Sequence, residues 1–144
     1  MLDADYPRRL AELMAAAPCA IKPPDDWADI QSRRGAQQSR IDERRRFVRF
    51  WFPSRCLLEL DQSIPAVPRT RQIHQAWTRD VSRGGMSFLH SEQLYPGERL
   101  RLWLTSGRLD CIVHRCERHN PQCWEIGVEI ERIDQHAGAK AASR

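Results

Sequence analysis

Two short stretches of this chain combine residue types that recognise anions and polar rings. The first, Arg44-Arg45-Arg46-Phe47-Val48-Arg49, is rich in guanidinium groups. A guanidinium is planar, permanently charged and forks onto a phosphate or a purine edge as an ammonium cannot. The second, Asp80-Val81-Ser82-Arg83-Gly84-Gly85, sets a carboxylate and a hydroxyl ahead of paired glycines. Residues of these types either build an ordinary turn, their side chains satisfying local backbone amides, or present the same atoms to a ligand. A third cluster, Cys111, His114, Cys116, His119 and Cys123, carries atoms that can ligate metal. Its spacing does not match a paired-cysteine zinc knuckle. On a regular strand Cys111 and His114 face opposite ways, while His114 and Cys116 share a face. The cluster is read as apolar packing by cysteine with surface histidines, and no metal is expected. Cys116 and Cys123 flank a hairpin, as cross-strand neighbours would, with a disulfide disfavoured.

The two chemically distinctive stretches need a scaffold. Residues 5–17 read as an amphipathic helix, with Pro7 in its first turn and Leu10, Leu13, Met14 and Ala17 at helical spacing. Pro18, Pro23 and Pro24 end it. Asp25 or Asp26 is placed to cap a second helix through Trp27 and Ile30, fading into a polar linker or solvated helix from Gln31 to Arg40. After Arg45 the texture changes to short apolar runs. Phe50 to Leu60 predicts a strand kinked or bulged at Pro53, followed by strands near 70–79, 86–89, 100–104, 108–117 and 123–131. Leu100, Leu102 and Leu104 alternate with Arg101 and Trp103, and Trp124, Ile126, Val128 and Ile130 alternate in the last strand. The tryptophans at 51, 77, 103 and 124 are read as core rather than ligand platforms. The expectation is an all-β fold: a small six-stranded antiparallel barrel with a short helical N-terminal extension.

Charge and composition narrow the function. A chain of 144 residues, 41% hydrophobic and 29% charged, suits one domain with an appendage and not two enzyme domains. The net charge is +4, yet residues 33–55 alone hold eight arginines against Asp42 and Glu43. That window should attract an anion. It is too short for the broad basic stripe of a nucleic-acid binder, so no DNA or RNA partner is expected. The basic side chains are almost all arginine, Lys22 and Lys140 being the exceptions. This ratio is read chiefly as coding bias. No apolar run is long enough to insert in a membrane, and the N-terminus lacks a signal-peptide pattern. Five cysteines, an odd number, point to reduced thiols in the cytoplasm. No hydrolase elbow, metalloprotease helix or phosphate loop occurs, and no nucleophile–base pair stands out, so an enzyme is not expected.

Arg45-x-x-x-Arg49 together with Asp80-x-Ser82-x-x-Gly85 resembles the paired motif of the PilZ domain, a small β-barrel module that binds the bacterial second messenger cyclic di-GMP. R-x-x-x-R recurs at Arg40/Arg44 and Arg79/Arg83, as an arginine-rich chain makes inevitable. The aspartate–serine–glycine pattern is the specific half. Gly84-Gly85-Met86, Pro96-Gly97-Glu98 and Ile126-Gly127-Val128-Glu129-Ile130 share the family's texture. The resemblance covers roughly residues 43–132, leaving residues 1–42 as a helical or linker extension and 133–144 as a flexible tail. It implies a non-catalytic receptor in which Arg45 and Arg49 fold over cyclic di-GMP, with Arg44 stacking on a second guanine. Asp80 would accept from a guanine N1–H or amino group. Ser82 would donate to an oxygen, and Gly85, like Gly84, would permit a positive φ and close backbone approach. Arg46 would be solvated, and Arg83 would add positive field without contact. Cyclic di-GMP is the expected ligand, with no cofactor. A protein partner would receive the signal, and the protein would be a monomer or weak homodimer. The alternative is a PilZ-like adaptor in motility or pilus assembly that needs no ligand.

Overall fold

The computed structural model describes residues 4–27, 32–37, 49–62 and 72–135. Seven strands follow helix α1 (Tyr6–Ala16): β1 (Gly35–Ala36), β2 (Phe50–Gln62), β3 (Gln72–Ser82), β4 (Gly85–His90), β5 (Arg99–Leu104), β6 (Gly107–Asn120) and β7 (Cys123–Gln135). They form an antiparallel sheet in the order β1-β2-β3-β4-β7-β6-β5, and β2 also pairs with β5. That last pairing closes six strands into a barrel, as the sequence predicts. Closure leaves no unpaired edge within the ring.

Alternation builds the interior. Along β5 the leucines at 100, 102 and 104 are buried while Arg101 and Trp103 face outward. Leu58, Phe88, Ile126 and Val113 meet them from the other strands in one core. The four tryptophans read as core are instead partly buried, packed against this barrel from its flanks and outer face. Each lies under an arginine: Arg79 over Trp51 at 4.8 Å, Arg55 over Trp77 at 5.7 Å, Arg108 over Trp103 at 5.5 Å and Arg118 over Trp124 at 5.8 Å. A flat guanidinium covers an indole face while keeping its charge near water, so the arginine excess has structural work beyond coding bias.

The N-terminal region wraps the barrel. In α1 the buried residues are Tyr6 and Leu10, against Leu57. Leu13, expected on that face, is 49% exposed, and Tyr6 takes its place by bonding the Leu104 carbonyl through its hydroxyl. Gln75 caps the helix end, donating to the Met14 and Ala17 carbonyls at 2.6 and 3.2 Å. The second helix does not form over the described residues: Asp25–Trp27 is a single 3₁₀ turn, and Ile30 lies outside them. Trp27 is held instead by tertiary contacts, 4.3 Å from the His119 ring and 5.1 Å from the Arg79 guanidinium. Gly35 and Ala36, within the stretch read as linker or solvated helix, pair with Trp51 and Phe50 as a short extra strand.

Candidate functional site

The bulge expected at Pro53 is present: the β2–β3 register shifts between Trp51 and Ser54. The Thr78 hydroxyl fastens it, lying 2.5 and 3.1 Å from the carbonyl oxygens of Phe52 and Ser54. A second irregularity falls between Thr78 and Asp80 in the β3–β4 pairing. Bulges re-aim side chains, and Asp80 emerges from this pair of bulges onto a site that is only 1% exposed. Its carboxylate is fully engaged. Oδ1 accepts from the Ser87 hydroxyl at 2.6 Å. Oδ2 accepts from Gln37 Nε2 and Arg79 Nη1, both at 2.7 Å, and Arg49 Nη1 stands 3.9 Å away. Two arginines and two neutral donors offset the cost of burying the charge.

Beyond Asp80, β3 turns into β4 through Arg83-Gly84. Gly84 has φ +80°, which only glycine adopts cheaply. Gly85 was expected to share that conformation and does not. It is needed for close approach: a Cβ there would sit 3.3 Å from the Val128 carbonyl and 3.6 Å from Ser82 Oγ. The hairpin is thereby pressed onto β7, and Ile130 N–H donates to the Gly84 carbonyl at 2.9 Å.

This hairpin floors a groove of about 230 Å³, whose walls include Arg49, Ser82, Arg83, Gly85, His114, Arg115 and Glu129. Of the residues expected to bind ligand, Arg49, Ser82 and Gly85 thus share one cavity. Asp80 is not among its lining residues, and Arg49 links the two by lining the groove while pairing with Asp80. Arg83, expected to act only through its field, is part of the wall. Arg44, Arg45 and Arg46 lie outside the described residues. Three arginines against one carboxylate leave the groove lining with an excess of positive charge.

Residue spacing did not reveal Gln37, Arg79 and Ser87 as partners of Asp80, nor His114 and Arg115 as groove residues. The expectation that His114 and Cys116 share a face is overturned by a register shift between Val113 and Arg115 in β6. That shift turns His114 outward and leaves Cys116 packed against the barrel core. Cys116 and Cys123 are not cross-strand partners: Cys116 pairs with Ile126 and Cys123 with Asn120. Both are free thiols.

Among the described residues, ligand atoms of Glu117, His119 and Glu125 lie within 4.8 Å of one another. Glu125 already receives Arg115 at 3.3 Å, Arg79 at 3.8 Å and His119 at 3.1 Å. Its carboxylate oxygens are thus already taken up by two guanidinium groups and an imidazole. Burial, reinforced by Asp110 and Glu131, pushes the Cys111 thiol up to about 12, and burial also raises Cys56. Such thiols are inert as nucleophiles and ligands.

No helix among the described residues is long and apolar enough to cross a membrane. No curated protein and no solved structure matches the chain. The family model of the PilZ domain matches residues 43–142, a span that contains all six barrel strands, the groove and both motifs. The chain therefore belongs to the PilZ domain family.

Proposed function

We propose that this protein is a non-catalytic receptor for cyclic di-GMP, with the ligand seated in the basic groove over the Ser82–Gly85 hairpin. The observation that carries the reading is the convergence of Arg49, Ser82 and Gly85 on one cavity lined by three arginines. A cyclic dinucleotide is a dianion with two purine rings. Guanidinium groups serve both features, since they fork onto phosphate and onto the O6 and N7 atoms of guanine. Arg45 and Arg44, just ahead of Arg49 in sequence, supply the further cations the ligand needs. Ser82 donates to a ligand oxygen, and the close-packed Gly85 lets the ligand approach the backbone.

In this reading Asp80 accepts from the guanine N1–H and amino group after exchanging Gln37 for the ligand. That exchange frees the β1 segment and passes the signal to a protein partner through the N-terminal region. The protein acts in the cytoplasm as a monomer or weak homodimer. Isothermal titration tests the reading. Cyclic di-GMP should bind far more tightly than GMP, and Arg49→Ala should nearly abolish binding. Equal affinity for the two ligands, or an unaffected Arg49→Ala variant, refutes it.

A ligand-independent adaptor is the second reading. It draws on a groove of about 240 Å³ between α1 and the barrel, lined by Leu10, Leu57 and Trp103 and edged by exposed Leu13 and Ile73. Exposed apolar surface of this kind marks interaction sites. The titration separates the two, because the adaptor reading expects no binding.

A further inference from the structure

We infer that His114 and Arg115 form a second phosphate-binding arm of the groove, on the wall opposite Arg49. The inference rests on the cyclic dinucleotide reading and extends it to residues outside both sequence motifs.

On a regular strand, consecutive side chains point to opposite faces. Strand β6 obeys this from Gly107 to Val113, where the odd positions are buried. The pattern breaks at His114: Val113 pairs with Val128, but Arg115 pairs with Gly127, so β6 carries one more residue than its partner. After the bulge Cys116 packs against the core. His114 and Arg115 consequently both face outward, and both line the groove. An imidazole and a guanidinium in succession on one face require this bulge.

Opposite Arg115 the sheet has been cleared to receive it. A Cβ on Gly127 would fall 2.7 Å from Arg115 Cγ and 2.9 Å from its Nε. The arginine therefore lies flat across the strand, and any larger residue would lift it. Glu125 anchors the far end, accepting from Nη1 and Nη2 at 3.4 and 3.3 Å. About a third of the side chain remains accessible, so the anchored guanidinium still presents charge to the cavity. A guanidinium held at one edge has lost most of its rotamer freedom before a ligand arrives, which lowers the entropy cost of the contact.

A cyclic dinucleotide carries two phosphodiesters on opposite sides of its ring, and Arg49 enters from the β2 side. A second cation from β6 faces the phosphate that Arg49 does not reach. His114, exposed beside it, supplies an N–H donor in either tautomer and a charge when protonated.

Titration calorimetry with cyclic di-GMP tests the arm, using the full chain, His114→Ala, Arg115→Ala and the double variant, with thermal melts as a folding control. Each single substitution should weaken binding about ten-fold, as loss of a charge-assisted contact does. The double variant should lose more than either. Because Arg115→Ala also removes a partner of Glu125, His114→Ala carries the test if that variant fails to fold. Wild-type binding that both single variants retain overturns the arm and leaves the receptor reading intact. Absence of binding by the wild-type protein overturns both.

Discussion

Gln37 donates a 2.7 Å hydrogen bond from Nε2 to Asp80 Oδ2, across forty-three residues of sequence. Its own backbone N–H donates to the Arg49 carbonyl at 2.8 Å. One residue of the N-terminal segment thus touches a residue from each recognition motif. A ligand that takes Asp80 as an acceptor must displace an amide already seated there. Hydrogen bonds to charged groups contribute about 1.5–3 kcal/mol. Gln37→Ala is therefore expected to tighten cyclic di-GMP binding several-fold in a calorimetric titration. Unchanged or weakened affinity would show that Asp80 keeps Gln37 in the complex.

Asp80 has a structural role whether or not it reads a base. With the side chain 2% exposed and bonded to Arg79 and Ser87, its removal strips buried donors of their acceptor and leaves the Arg79 guanidinium only its longer contact with Glu125. Asp80→Ala should cost about 3 kcal/mol in urea unfolding. It should also weaken cyclic di-GMP more than cyclic di-AMP, because adenine lacks the N1–H and 2-amino donors. Equal gains for both ligands would mark Asp80 as a purely structural carboxylate.

Gly127→Ala probes the groove without touching any charge. The new methyl collides with the Arg115 side chain rather than with backbone, so Arg115 must swing away. The barrel should lose only about 1 kcal/mol, while cyclic di-GMP affinity falls to the level of Arg115→Ala. A variant with wild-type affinity would show that the flat pose of Arg115 is immaterial.

Thiol chemistry should divide the cysteines. Burial pushes Cys123 up to about 11 and Cys111 up to about 12, whereas Cys19 is exposed. At pH 8 an aromatic disulfide reagent should modify Cys19 rapidly in the native protein, leaving Cys56 and Cys111 until it unfolds. The same shifts predict alkaline destabilisation. Unfolded thiols ionise around their ordinary 9.0, before the folded ones release their protons. Stability is therefore intact below pH 9 and declines as pH rises towards 12. Denaturant midpoints should hold from pH 8 to about 9 and fall from there to pH 11, and a profile flat over the whole range would contradict the burial of these thiols.

Much of the scaffold was legible because its determinants are local. Period-two alternation in Leu100–Leu104 and Trp124–Ile130 reports which side chains enter a core, whatever strands lie alongside. Pro53 announces its bulge because it cannot donate to a ladder. Helix α1 was legible in extent but not in facing: Leu13 is apolar and at helical spacing, yet the neighbouring barrel wall selects Tyr6 and Leu10. The reading of a second helix through Trp27 and Ile30 runs beyond the described residues; within them Trp27 ends a 3₁₀ turn, and its ring is held by Arg79 and His119, contacts that no local propensity encodes.

The candidate site divides along the same line. The order of residues from Asp80 to Gly85 by itself determined a turn at the glycines with a carboxylate and a hydroxyl just ahead of it, because those properties belong to single residues and their spacing; Asp80 and Ser82 themselves lie in β3, before the turn. Tertiary structure decided what the turn faces. Asp80 acquires Gln37 because β1 pairs beside Trp51, and Arg49 meets Ser82 only once β2 lies against β3. His114 and Arg115 join the groove through a single extra residue in β6. A bulge is a mismatch between two strands, so it exists only in their pairing. One residue of register reverses the face of every side chain that follows.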